Sequence, residues 1–339
     1  MPIKEPMPTI PPTSPKAIIP IYDLLGKIPG GIMVIPLILG SVVGTFFPEL
    51  LELGAFTTAL FKSSALPLIA LLIFSTGMQI SLRSSGAVLA YTGVVLLCKT
   101  LIPMTLVILL GLFVGNDGII GISLLAMLAV VSNSSGGIWL AFTGKYGDYR
   151  DQGAYIASAV NDGAFFVLLF LSASGFADIP LGLMMAAIIP LLAGMLFGNL
   201  DPKWANLMKP TSAIVIPFFA FSLGTGINLT VIMTGGASGI LLGVVASLVT
   251  GLFVFIGYKA ILRRGNQSGI GFAAGTTAAN SIVTPAIVAQ ADPTFAPFVQ
   301  TATAQIAASV LISAIIAPLV AAWVLKHQGG MPKSKITSY

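Results

Sequence analysis

Two titratable side chains of this 339-residue sequence sit deep inside apolar stretches, Lys99 and Asp162. Asp162 follows Asn161, and Ser158 lies one helical turn earlier, so hydroxyl and carboxyl share a face. A lone acid there suits a proton carrier, because its surroundings penalise the charged form and protonation relieves the penalty. The plainer alternative is an aspartate that stays paired or neutral and serves packing. Lys99 lies roughly 20 Å from either end of its stretch at about 1.5 Å per residue, too deep to snorkel. Ionised at that depth it costs at least about 2.5 kcal/mol and must face a cavity or a partner. It reads as a buried structural ion pair, as a contact to an anionic substrate, or as the second member of a coupling pair with Asp162.

Polar residues also interrupt two apolar stretches at matching places. The run Ser132-Asn133-Ser134-Ser135-Gly136-Gly137 breaks one, and Thr276-Thr277, Asn280-Ser281 and Thr284-Pro285 break the other. Unwound backbone is tolerated within a membrane only where it faces protein or a water-filled cavity. Ser, Thr and Asn can cap the half-helix that follows, whose N–H groups and partial positive charge suit a carboxylate. Two such ends meeting near the midplane would make an anion site; small-residue helix packing is the competing explanation. Asn133, Ser134, Ser135, Asn161, Thr276, Thr277, Asn280, Ser281 and Thr284 are therefore the candidate substrate-binding residues. Gln305 joins them from a polar stripe, Thr301, Gln305 and Ser309, at four-residue spacing. For Ser309, joining helices is an equal reading.

The elements that must position these residues come in two copies. Ile35-Pro36-Leu37 with Gly40 and Gly44 returns as Ile189-Pro190-Leu191 with Gly194 and Gly198. Ser75, Gly77, Ile80 and Leu82 return as Ser222, Gly224, Ile227 and Leu229, and Asn133-Ser134 as Asn280-Ser281, at one common spacing. By that spacing Ser309 corresponds to Asp162, so only the first copy keeps a titratable group. Apolar runs predict ten helices, at roughly 32–47, 61–80, 86–114, 118–142, 152–175, 179–199, 210–228, 236–262, 268–290 and 294–325. With five per copy, the second copy enters the membrane from the opposite side, an inverted repeat typical of secondary transporters. The expectation is an all-α membrane protein of ten transmembrane helices with broken, crossing helices 4 and 9. Its parts are a Pro-rich tail (1–29), the repeats (30–177 and 178–326) and a C-terminal tail (327–339).

Composition agrees: 56% hydrophobic residues, 8% charged and a mean hydropathy of +0.99 place the chain in a bilayer. With the N-terminus inside, nearly all Lys and Arg fall on inside segments, leaving Lys62 and Lys99, while Glu49, Glu52, Asp117, Asp178 and Asp292 fall outside. The positive-inside rule thus predicts both termini cytoplasmic. No cleavable signal peptide is expected, since the first long apolar run starts near Ile32. The net charge of +5 is scattered, with no basic stripe for nucleic acid. The single His327 is in the tail and no H-E-x-x-H or G-x-S-x-G occurs, which disfavours an intramembrane enzyme. The reading is a transporter with no organic cofactor or metal, coupled to protons. A cation/proton antiporter or sodium-coupled organic-anion carrier is the alternative.

Several separated motifs carry a resemblance: Ile28-Pro29-Gly30-Gly31, the Ser132–Gly137 run, Thr143-Gly144-Lys145-Tyr146-Gly147-Asp148, Asn161-Asp162-Gly163, Gly198-Asn199-Leu200-Asp201, Ile216-Pro217-Phe218-Phe219-Ala220-Phe221, and Ala302-Thr303-Ala304-Gln305-Ile306-Ala307-Ala308-Ser309. From about residue 28 to 326 the chain resembles bacterial 2-keto-3-deoxygluconate permeases, departing at the Pro-rich tail and at Ser135, where Asn is expected. The resemblance implies proton-coupled uptake of that sugar-acid anion across the bacterial inner membrane. It also implies an architecture similar to the bile-acid sodium symporters, a core of helices 3–5 and 8–10 moving against a panel of helices 1, 2, 6 and 7.

Overall fold

The computed structural model describes residues 19–26, 31–226 and 229–330. Most of the Pro-rich tail, the C-terminal end, Ile28-Pro29-Gly30 and the repeat match at Ile227 lie outside them. Among the described residues the chain is helical, with no strand beyond an isolated bridge between Ile119 and Ile122. Of the helices among the described residues, six are long and apolar enough to cross a membrane, or up to nine if each bent pair is one span. Large apolar side chains such as Phe113, Leu196, Leu319 and Trp323 point outward, as an acyl-chain environment demands. The chain is a multi-pass membrane protein.

The principal helices are α1 (Gly31–Phe46), α2 (Ala65–Met78), α3 (Gly86–Val114), α4 (Leu124–Ser132), α5 (Gly136–Tyr146), α6 (Tyr149–Val160), α7 (Phe165–Ala173), α8 (Leu181–Leu200), α9 (Thr211–Thr225), α10 (Leu229–Ala260), α11 (Thr284–Ala291) and α12 (Val299–His327). Their starts follow ordinary capping chemistry. Ser85, Ser123 and Ser135 each accept a hydrogen bond from the backbone N–H three residues on, opening α3, α4 and α5. Asp148 and Asp151 form a reciprocal capping box at the start of α6.

Two interruptions fall where polar residues predict them. The stretch expected at 118–142 is split into α4 and α5 by Asn133, Ser134 and Ser135, with Asn133 fully extended. The stretch at 268–290 is mostly 3-10 turns, Gly265–Gly275 and Ala279–Val283, before α11 begins at Thr284. A third break is additional: the predicted continuous helix 152–175 bends by 60° between α6 and α7. Gly163 makes that bend at φ +86, a conformation that a side chain disfavours. Proximity of Asp162 to this turn lifts its carboxyl out of the helical register. The stretch at 61–80 likewise bends by 60° between Ala55–Phe61 and α2. Within α3, residues Leu97–Leu101 form a π turn containing Lys99.

Close packing ties the helices in two equivalent pairs. A Cβ on Gly40 or Gly44 of α1 would collide with the backbone of Phe221 or Thr225 on α9, and one on Gly224 with the backbone of Leu37. Likewise, a Cβ on Gly194 or Gly198 of α8 would collide with the backbone of Phe74 or Met78 on α2, and one on Gly77 with Leu191. Each pair joins a helix carrying the I-P-L-x-x-G-x-x-x-G motif to one carrying Ser-x-Gly. Because the obstacle is backbone, Gly194→Ala should force the helices apart and cost about 2 kcal/mol, the typical penalty for overpacking. A thermal-unfolding series in detergent checks this, with exposed Gly182→Ala, which meets nothing within 4 Å, as the silent control.

Candidate functional site

The two breaks at Asn133–Ser135 and Thr276–Asn280 meet. The Ser135 N–H donates to Thr276 Oγ1 (3.0 Å), the Ala278 N–H to Asn133 Oδ1 (3.2 Å), and the Ser281 hydroxyl to Asn133 Oδ1 (2.7 Å). Thr277 adds a hydroxyl bond to the Val130 carbonyl at the end of α4, and its own N–H donates to Ser313 Oγ on α12. Unwinding frees backbone groups that would be costly in an apolar medium, and these side chains satisfy them. A third chain enters from the α6–α7 bend: the Ser134 N–H donates to Asn161 Oδ1 (3.4 Å), Asn161 Nδ2 to Thr100 Oγ1 (3.0 Å), and Thr100 to the Ser132 carbonyl (2.7 Å).

A cavity of about 260 Å³ opens beside this crossing. Its polar lining comprises Ser134, Ser135, Gly136, Gly137, Ser158, Tyr155, Asp162, Asn280 and Thr76; Leu72, Leu140 and Ile216 complete it. The Asp162 carboxylate accepts a hydrogen bond from Asn280 Nδ2, 118 residues further along the chain. Among the described residues, Asn280 Oδ1 is buried without a hydrogen-bond partner, as is Asn133 Nδ2. Ser134 Oγ and Ser158 Oγ are 2.8 Å apart. The first turn of α5 faces the cavity through Gly136 and Gly137, whose N–H groups have no acceptor among the described residues, as expected of a helix start. The chamber thus offers one titratable oxygen pair, free N–H groups and several hydroxyls.

A family match decides the affiliation: KdgT, 2-keto-3-deoxygluconate permease, matches residues 22–330. The chain belongs to that family. It is 41% identical over 308 residues to 2-keto-3-deoxygluconate permease 1 of Salmonella typhimurium, covering 91% of this chain and 96% of that one. It is 35% identical over 323 residues to 2-keto-3-deoxygluconate permease of Bacillus subtilis, with 92% and 97% covered. To the Enterobacter sp. permease of the same name it is 33% identical over 316 residues, with 91% and 95% covered. As a family of permeases these are transporters, and the chain is not an enzyme.

Among the residues singled out in this permease sequence, Asp162, Ser134, Ser135 and Asn280 line the cavity together. Asn133, Asn161, Thr276, Thr277 and Ser281 stand behind them as the buried framework of the crossing. Thr284 is buried at the start of α11 with its hydroxyl unpartnered. Gln305 lies elsewhere: its amide donates to the Gly121 carbonyl (2.7 Å) and Ser238 Oγ (2.9 Å). Ser309 donates to the Gly239 carbonyl, so this part of the α12 stripe joins α12 to α10. Lys99 is fully buried, but its ammonium donates to Thr250 Oγ1 on α10 (3.1 Å) and it is not among the residues lining the cavity. Its neighbour Thr100, by contrast, belongs to the crossing network. The π turn at Leu97–Leu101 surrounds both residues.

Thr76 and Tyr155 are cavity residues that sequence reasoning missed. Tyr155 had a signal, since it precedes Ser158 by three and therefore shares its face of α6. Gly136 admits its ring, for a Cβ there would meet Tyr155 Cε2 at 2.5 Å.

A second polar cluster closes the end of the bundle where α5 meets α6. Arg264, in the turn after α10, reaches Asp151 Oδ2 (2.5 Å) and Asp148 Oδ2 (3.1 Å), while Arg150 pairs with Asp148 (2.6 Å). Both arginines lie over the Tyr91 ring, and Trp139 donates its indole N–H to the Asp151 carbonyl (2.8 Å). Burial alone would raise the Asp148 carboxyl; hydrogen bonds from Arg150 and the charge of Arg264 outweigh it and hold the group at about 2. A carboxylate lowered from 3.8 contributes its stability above that value and loses it as pH falls through about 2. The Asp148 carboxylate therefore stays ionised at neutral and mildly acid pH.

Proposed function

We propose that the chain is a proton-coupled symporter importing 2-keto-3-deoxygluconate or a closely related sugar acid by alternating access. In this reading it spans the bacterial inner membrane ten times, as inverted repeats 30–177 and 178–326 in a bile-acid sodium symporter-like arrangement, with both tails cytoplasmic. One observation carries it: Asp162 of the first repeat, bonded to Asn280 of the second, faces the same cavity as the first turn of α5.

The coupling follows from charge. A sugar acid is an anion at neutral pH, and a second anion in a small, partly desolvated chamber opposes it. Protonation of Asp162 removes that opposition, so proton and substrate favour each other's binding, and by linkage the effect is reciprocal. Loaded together with one proton, a monoanion crosses without net charge. The N–H groups of Gly136 and Gly137 and the half-helix dipole hold the carboxylate. Ser134, Ser135, Ser158, Thr76, Tyr155 and Asn280 meet the hydroxyls, and Asn133, Asn161, Thr276, Thr277, Ser281 and Thr284 set the geometry. A cavity of about 260 Å³ lies just below the usual size of ligand sites, roughly 300–1,000 Å³, as suits a six-carbon acid.

In this orientation the cavity occupies the cytoplasmic half, between the second half of α2, the first half of α9 and the crossing. On this reading the cavity's position supports an inward-facing state. Lys99 then acts on the coupling from behind Thr100, beside the crossing and outside the cavity lining. Uptake of labelled 2-keto-3-deoxygluconate into proteoliposomes is the test. An imposed pH gradient, acid outside, should drive accumulation by about tenfold per pH unit and per proton. Accumulation under a sodium gradient alone would transfer the coupling to sodium; none under either would end the symport reading.

A further inference from the structure

Away from Asp162, the ends of α2 and α8 and the helix Pro202–Met208 enclose another cavity, of about 390 Å³. Its wall is preformed. Asn199 donates to the Ile80 and Met195 carbonyls (both 2.8 Å) and accepts from the Leu82 N–H (3.0 Å), and Gln79 donates to the Ala205 carbonyl (3.0 Å). Two cations from distant parts of the sequence, Arg83 and Lys209, line it. Among the described residues neither side chain has an ion pair or hydrogen bond. The one acid in the same connection, Asp201, accepts from the backbone N–H groups of Lys203 and Trp204 at the start of that short helix.

Two exposed, unpaired cations over a hydrogen-bonded polar floor suit an anion. The surroundings say which kind, because Leu82, Leu200 and Leu207 beside the cavity are each more than half exposed, and Trp204 packs edge-on against Phe197. A soluble anion has no use for that apolar rim, whereas a phospholipid would lay its acyl chains along it. Trp at such a level is the ordinary companion of a headgroup.

We infer that this cavity binds the headgroup of an anionic phospholipid from the adjoining leaflet, with Arg83 and Lys209 on the phosphate and the Leu82, Leu200, Leu207 and Trp204 surface against its chains. The inference rests on the orientation proposed above only in naming that leaflet cytoplasmic. A bound lipid would brace α2 against α8, the pair already joined through Gly194 and Gly198.

The test titrates the full chain in nonionic detergent with phosphatidylglycerol, phosphatidylcholine or inorganic phosphate, reading Tm and lipid retained in native mass spectra. Phosphatidylglycerol should raise Tm and remain bound, and Arg83→Gln/Lys209→Gln should need about 30-fold more of it, from about one factor of five per lost cation. If that variant fails to fold, Lys209→Gln alone should shift the titration about fivefold. Equal effects of phosphatidylcholine, or an unshifted variant, would overturn the inference. So would inorganic phosphate reproducing the full Tm shift, which would make the site one for a soluble anion. Binding of labelled sugar acid to the same samples reports separately on the Asp162 cavity, so either reading can fail alone.

Discussion

Asp162→Asn will bind the sugar acid with an affinity that no longer depends on pH, and will not accumulate it. The exchange keeps the size of the side chain and a polar contact to Asn280, so the cavity retains its shape. What it removes is the group that alternates between neutral and charged. In the wild type, affinity should fall as pH rises, because on the proposed reading the ionised carboxylate and the substrate anion share one small chamber. In the variant that dependence is flat, and the about tenfold accumulation expected per pH unit of gradient disappears. Exchange of labelled for unlabelled substrate at equal concentration on both sides needs no net proton movement and should persist. Two measurements on one preparation decide the matter: equilibrium binding at two pH values, and uptake into proteoliposomes with and without a pH gradient. If Asp162→Asn still concentrated substrate with undiminished pH dependence, the proton would travel elsewhere.

The part of this arrangement that was legible in the sequence is the part written in local chemistry. Hydroxyls, amides and paired glycines inside an apolar stretch conflict with a continuous helix, so Ser132–Gly137 and Thr276–Ser281 announce their breaks, and the common spacing of Asn133 and Asn280 announces that the breaks correspond. The glycines of the repeated motif also carried information, since Gly40, Gly44, Gly194 and Gly198 lie at the close helix approaches. The bend at Gly163 was hidden by its neighbours: Asn161 and Asp162 read as side chains on a continuous helix, whereas the backbone turns there and Asn161 becomes a strut to Thr100 and Ser134. The direction of Lys99 was not readable at all. Depth in a span fixes that a lysine needs a partner, but the choice of Thr250 over Asp162 depends on a π turn and on a residue 151 positions away. Gln305 illustrates the same limit, because a polar stripe at helical spacing serves a cavity and a neighbouring helix equally well, and here it meets Ser238 of α10.

The Arg264 cluster was equally invisible in a linear reading, and it carries the largest expected loss of stability. Asp151 has no exposed side-chain surface, Arg264 retains 8%, and their charged atoms are 2.5 Å apart. Removing the cation leaves a buried carboxylate whose desolvation is no longer offset, so Arg264→Met should cost about 3–5 kcal/mol, read as a fall in Tm of the detergent-solubilised protein. Arg264→Lys should recover only part, because a single ammonium cannot reach Asp148 and Asp151 together as the guanidinium fork does. Asp151→Asn combined with Arg264→Met should be more stable than Arg264→Met alone, since the uncompensated charge has gone. A Tm for Arg264→Met close to that of the wild type would show that the pair is a solvated surface contact. The geometry argues otherwise. Arg263 and Gly265 both hold positive φ (52° and 55°), a turn that aims Arg264 at the start of α6, and a non-glycine residue in that region needs strong contacts to keep it there. The cluster joins the end of α10 to the α5–α6 turn, and the rings of Tyr91, Trp139 and Tyr258 packed against it tie α3, α5 and α10 together.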